Sequence, residues 1–70
     1  MAEIRAEMVG TVLEILAQPG TTLAAGQTVL VLESMKMELP VVAEGAGTLA
    51  RLDVAKGDLV QQGDLLGMVE

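Results

Sequence analysis

Short apolar runs alternate with glycines and polar pairs along the whole chain. Ile4, Ala6 and Met8 take every second position, residues 11–17 form a β-branched and aliphatic run, and Val29-Leu30-Val31-Leu32, Leu39-Pro40-Val41-Val42-Ala43 and residues 65–70 repeat the theme. This patterning predicts short strands, one face of each turned to a core. Turns are predicted at Pro19-Gly20 and Lys56-Gly57-Asp58, and again at Ala24-Ala25-Gly26-Gln27 and Gln61-Gln62-Gly63-Asp64. A single apolar anchor, Leu23 or Val60, stands between the two turns of each set. Residues 29–37, stopped by Pro40, are where a short helix competes, but β-branched content and the lack of an N-cap argue for strand.

The same pattern occurs twice. Residues 4–33 and 41–70 align at an offset of 37 without a gap, pairing Ala6 with Ala43, Glu7 with Glu44, Gly10 with Gly47, Thr11 with Thr48, Gly20 with Gly57, Gly26 with Gly63 and Glu33 with Glu70. Three of these pairs are glycines, read here as turn positions, and the apolar register holds between them. Two such units cannot each bury a face alone. They are expected to pack about an approximate two-fold axis as one domain over residues 1–70, a small all-β sandwich or flattened barrel. The connector 34–40 belongs to neither copy, and Met1 and Glu70 are expected together at the end remote from it.

That connector sits inside Glu33-Ser34-Met35-Lys36-Met37-Glu38, which reads as a tip between two strands. It has no Gly, Asn or Asp, the residues that make a tight hairpin easy, and it places two large apolar side chains where a turn meets water. A tip that departs from turn chemistry is a candidate functional site. Lys36 is its centre. Lys56, in a plain turn, is the contrasting lysine and is read as solvated. Met35 and Met37 have adaptable, polarizable side chains suited to a surface that meets more than one partner. Glu33 and Glu38 read as solvated strand ends that disfavour wrong partners rather than as an acid–base pair.

Composition narrows the chemistry. The 70 residues include no Cys, His, Phe, Tyr or Trp, and the net charge is −6. Thiol nucleophiles, disulfides, the commonest general base and the commonest zinc ligand are therefore excluded, and so little chain leaves no room for a substrate cleft. Without stacking aromatics, and with a charge that repels phosphates, nucleic acid is not an expected partner. The start Met1-Ala2-Glu3-Ile4-Arg5 lacks the basic-then-apolar build of a signal peptide, and no apolar run approaches bilayer length. A soluble, cytoplasmic protein with no membrane partner is expected, monomeric as an isolated domain.

The six-residue tip resembles the Glu-Ala-Met-Lys-Met motif of biotin carboxyl carrier domains, and the repeated Gly-Thr-x(9)-Gly and Gly-x(6)-Glu spacings resemble the rest of that domain. Lipoyl carriers share the fold but usually flank their lysine with Asp and Ala. The resemblance implies a flattened barrel or sandwich of two four-stranded antiparallel sheets with an internal pseudo-two-fold repeat, the hammerhead type of biotinyl and lipoyl domains. It implies biotin joined through an amide to Lys36 by a biotin protein ligase, with biotin carboxylase and carboxyltransferase as further partners. It also implies no catalysis by the domain itself, and Met35, Met37, Ser34, Glu33 and Glu38 as the recognition surround. Ser34 replaces the commoner Ala, a small-for-small change. Ala6-Glu7 and Ala43-Glu44 stand where relatives often have Ala-Pro, and no inserted segment suggests the thumb of some bacterial carriers. A lipoyl-type swinging-arm carrier and an unmodified β interaction module remain the alternatives.

Overall fold

The chain bends where glycine follows Pro19, Ala25, Lys56 and Gln62. In a computed structural model, which describes residues 2–70, Gly20 has a φ of 96°. A type II turn requires that sign at its third position, and glycine adopts it without steric cost. The Thr21 N–H donates to the Gln18 carbonyl at 3.0 Å, and the Gln18 N–H donates back to the Thr21 hydroxyl at 3.2 Å. The same two-way closure recurs at residues 24–27, 55–58 and 61–64, with the side chains of Gln27, Asp58 and Asp64 as acceptors. A polar residue ends each turn because it satisfies an N–H that the turn would otherwise leave unpaired.

The described residues form eight strands: β1 (Ala2–Arg5), β2 (Gly10–Ile15), β3 (Thr22–Leu23), β4 (Thr28–Ser34), β5 (Met37–Val42), β6 (Gly47–Leu52), β7 (Leu59–Val60) and β8 (Leu65–Val69). They form two four-stranded sheets, in the orders β1-β8-β6-β3 and β5-β4-β2-β7, with every pairing antiparallel. The protein is thus an all-β flattened sandwich, 30 × 17 × 17 Å along its principal axes.

Neither sheet belongs to one half of the sequence. Each takes two strands from the first half and two from the second, and the pairings correspond at the 37-residue offset. Leu32↔Leu39 and Val31↔Pro40 in one sheet match Val69↔Ala2 and Met68↔Glu3 in the other. Val12↔Leu32 and Glu14↔Val31 match Leu49↔Val69 and Arg51↔Met68, including the irregularity between them. The turns are exchanged too. Ala6 donates its N–H to the Asp64 carbonyl (2.9 Å) and accepts from the Gly63 N–H (2.8 Å), while Ala43 does the same with Gln27 (2.9 Å) and Gly26 (2.7 Å).

The core is aliphatic. Val12, Leu23, Val29, Leu30, Leu32, Leu49, Val60 and Leu66 are fully buried between the sheets. Val29 and Leu30 are consecutive yet both face inward, against the alternation of a regular strand. The cause is a bulge: the pairing with β5 shifts register between Thr28 and Leu30, and on the other side the Leu16 and Ala17 N–H groups both donate to the Val29 carbonyl.

Gly10, read as a turn position, is instead the buried first residue of β2, whereas Leu39 and Pro40 lie within β5, as their apolar run predicted, although the connector between the copies extends through Pro40. Proline is accepted there because β5 is an edge strand, bonded on one side only. Ala2 pairs with Val69, so β1 and β8 lie side by side; Met1 is outside the described residues.

Leu30→Ala empties a fully buried position. It is expected to lower stability by about 2–5 kcal/mol, most of what so small a domain has, seen as a large fall in the urea midpoint. Gly45→Ala is the control: its added Cβ meets nothing within 4 Å and its φ is not positive, so a change below about 1 kcal/mol is expected.

Candidate functional site

Strands β4 and β5 pair as far as Ser34↔Met37, leaving only Met35 and Lys36 to turn the chain. The tip is therefore two residues long rather than six, and Glu33 and Glu38 are a directly opposed strand pair beneath it. Met35 has a φ of 53° and Lys36 of 64°. Positive φ at both central residues defines a type I′ turn, the form whose twist matches a two-residue hairpin and which normally takes Asn-Gly. A side chain in this left-handed region costs about 1–2 kcal/mol per residue. Among the described residues, Met35 and Lys36 are the only non-glycines that adopt it. Local preference alone would not choose this turn; the long β4–β5 ladder imposes it.

The ladder's footing is built from small residues. Ser34 is the one buried polar residue among those described, with 7% of its surface exposed. Beneath it lies Gly10, where an added Cβ would sit 2.8 Å from the Glu33 carbonyl oxygen and 3.5 Å from the Ser34 Cβ. Ser34, expected in the recognition surround, is turned into the body and acts on the tip by fitting against β2. Gly10 is the supporting residue that the sequence reading placed wrongly. Its signal was a repeated Gly-Thr with no second turn former beside it.

Above this footing the side chains are free. Met35 is 84% exposed and Met37 55%, and Lys36, Glu33 and Glu38 are all exposed. The ion pairs among the described residues are Arg5–Glu3 and Arg51–Asp53, so Lys36 is held by neither facing glutamate. Two like charges directly opposite one another weaken a sheet, here without a compensating cation. The arrangement presents an amine at an apex, between two thioethers and above two carboxylates, with no second nucleophile or base aligned on it.

Strand β5 leads away from the tip for six residues, roughly 20 Å at strand rise, before the chain bends at Glu44 and Gly45 and enters β6 at Gly47, beside Glu70. A groove of about 430 Å³ does exist, against the expectation that so short a chain has none. It lies where the edge strands β1 and β5 face each other without bonding, lined by Ile4, Leu39, Val41 and Val69, and it includes none of Met35, Lys36 and Met37.

Comparison with known proteins places this geometry. The profile of a family described as "Biotin-requiring enzyme" matches residues 2–69. The "Biotinylated protein TB7.3 homolog" of Mycolicibacterium smegmatis is 48% identical over 71 residues, covering 100% of both chains. Among solved structures, that of a single-chain, multi-domain long-chain acyl-CoA carboxylase matches with a TM-score of 0.89 and 38% identity, over 94% of this chain and 7% of that one. The lipoyl domain of the 2-oxoglutarate dehydrogenase complex from Azotobacter vinelandii matches with a TM-score of 0.85 and 28% identity, over 100% of this chain and 96% of that one.

Two substitutions test the geometry of the tip. Met35→Asn, which tolerates left-handed backbone, is expected to raise stability by about 1 kcal/mol in urea denaturation. Gly10→Ala is expected to lower it by at least about 1 kcal/mol, because the β4 backbone must move away from β2. It should also shift the amide resonances of Glu33 and Ser34 more than those of the β6–β8 pair.

Proposed function

The chain belongs to the biotin-requiring family of attachment domains, and from that premise we propose that Lys36 is where its biotin is joined, through an amide between Nζ and the biotin carboxyl group. The observation that carries this reading is the left-handed two-residue tip, which places Lys36 at an exposed apex with no ion-pair partner. Lys56 is also exposed and outside the ion pairs, but it lies in one of the four glycine turns and its own backbone is not left-handed.

The tip fits the group. Lys36 is exposed and lies outside the groove between β1 and β5, so an acyl chain attached there extends into solvent. The domain is a biotin carboxyl carrier, and its biotin is covalently held. When attached, biotin supplies a ureido nitrogen on which a carboxyl group travels from one active site to another. The contributions of the chain are mechanical. Lys36 provides an amine and a run of methylenes as a tether, which converts encounters between separate enzymes into local ones. Its ammonium has no base positioned beside it, so the ligase must both activate the biotin carboxyl and take the proton. The domain itself contributes no catalytic side chain. Met35 and Met37 form an apolar collar that ligase and carboxylase sites meet in turn, and Glu33 and Glu38 screen against acidic surfaces.

The partners that follow are a biotin protein ligase, a biotin carboxylase using ATP and bicarbonate, and a carboxyltransferase. A cytoplasmic setting, where ATP and the ligase act, fits this reading. A lipoyl-type carrier is the second reading, favoured by the likeness to the lipoyl domain. The methionine flanks of Lys36 weigh against it.

Intact-mass spectrometry of the domain co-expressed with a biotin protein ligase tests the assignment. One biotinyl group is expected, on the peptide containing Lys36 and not on that containing Lys56. Lys36→Arg should abolish it along with streptavidin binding. A biotinyl group that persists in Lys36→Arg, or a lipoyl mass in its place, would sink the proposal.

A further inference from the structure

Among the described residues, the two most exposed methionines are those that flank Lys36. Cys, Trp, Tyr and His are all absent, which leaves methionine as the only readily oxidised side chain. Met35 is 84% exposed and Met37 55%, whereas Met8 is 38% exposed and Met68 is half-buried in β8. The left-handed turn holds Met35 off the sheet, and neither Met35 nor Met37 belongs to the buried core. Oxidation at these two positions changes the collar and leaves the packing intact, unlike oxidation of a core methionine.

We propose that Met35 and Met37 form a peroxide-sensitive modification site whose sulfoxide state switches off loading of Lys36. A lone pair of the thioether sulfur attacks one oxygen of a hydroperoxide and the O–O bond breaks. The sulfur loses two electrons and gains the oxygen, while the hydroperoxide is reduced to water or an alcohol, its proton moving to the departing oxygen. The product is polar where the partner expects an apolar surface, and sulfoxide reductases reverse it. The inference rests on the reading of Lys36 and its collar given above.

The test treats the folded domain with limiting hydrogen peroxide, removes the oxidant, and follows biotinylation by a biotin protein ligase with biotin and ATP. Untreated domain must take biotin on Lys36; if it does not, the site reading fails and the switch falls with it. Where it does, peptide mapping is expected to find oxygen at Met35 first, Met37 next and Met68 last. The kcat/KM for biotinylation should then fall about tenfold, as expected when an apolar contact becomes polar. Methionine sulfoxide reductases of both stereospecificities should restore it, and the melting midpoint should not move. In Met35→Leu/Met37→Leu the ratio of treated to untreated rates should be one, whatever the variant's own rate. Earlier oxidation of Met8 or Met68, unchanged loading by the sulfoxide form, a lost fold, or persisting sensitivity in the double variant would each overturn the switch.

Discussion

The structure depends on an exchange of turns between the two halves of the chain. Ala6 is bonded on both sides by the 61–64 turn, and Ala43 by the 24–27 turn. Val12 and Leu49 are held in the same way, donating to Asp58 and Thr21 and accepting from Gly57 and Gly20. At Ala6 and Ala43 these bonds satisfy backbone groups where the chain passes from one sheet to the other, and at Val12 and Leu49 they tie β2 and β6 to the exchanged turns. Because every such bond crosses between halves, and each sheet takes strands from both, neither half can close its core alone. An aliphatic core without aromatic side chains or disulfides is held in one arrangement by polar bonds between segments far apart in sequence.

That framework makes the tip possible. A type I′ turn of Met and Lys works against the intrinsic preference of both residues by roughly 1–2 kcal/mol each. It survives because β4 has partners on both sides, β2 and β5, and because its register is fixed on both. Opening the turn to relieve Met35 and Lys36 would break Ser34↔Met37 and Glu33↔Glu38 and lift Ser34 off Gly10. Strain in this loop therefore marks a position the fold enforces. An Asn-Gly tip would be easier to form but would not place a lysine at the apex.

What the sequence disclosed followed from periodicity and composition. The all-β class, the turns at Gly20, Gly26, Gly57 and Gly63, and the anchors Leu23 and Val60 could be read directly, since glycine spacing and apolar alternation are local signals. The oddity of the segment around Lys36 was also visible, because a tip without turn formers is a local contradiction. The length of the loop was not, since Met35 and Lys36 turn left-handed only under a ladder that local preference does not encode. Gly10 was misplaced because a glycine needed for close approach looks the same in sequence as one needed for positive φ. The exchange of strands between sheets was hidden as well: an internal repeat is compatible with one sheet per copy or with two mixed sheets. Only register decides between them.

Symmetry narrows the site further. Applied to β4 and β5, the 37-residue offset yields β8 and β1, with the same partners opposite one another and the same irregularity. The two ends of the sandwich are therefore close copies as backbone, and both rest on a glycine that admits no Cβ, Gly10 at one end and Gly47 at the other. They differ in what joins the strands. At one end Met35-Lys36 links Ser34 to Met37, while at the other β1 and β8 lie side by side without being consecutive in the chain. Of these two equivalent ends, the one joined by Met35-Lys36 carries the exposed amine of Lys36. The separation between them follows from the two-fold relation. The operation that pairs the halves sends Leu32↔Leu39, below the tip, onto Val69↔Ala2.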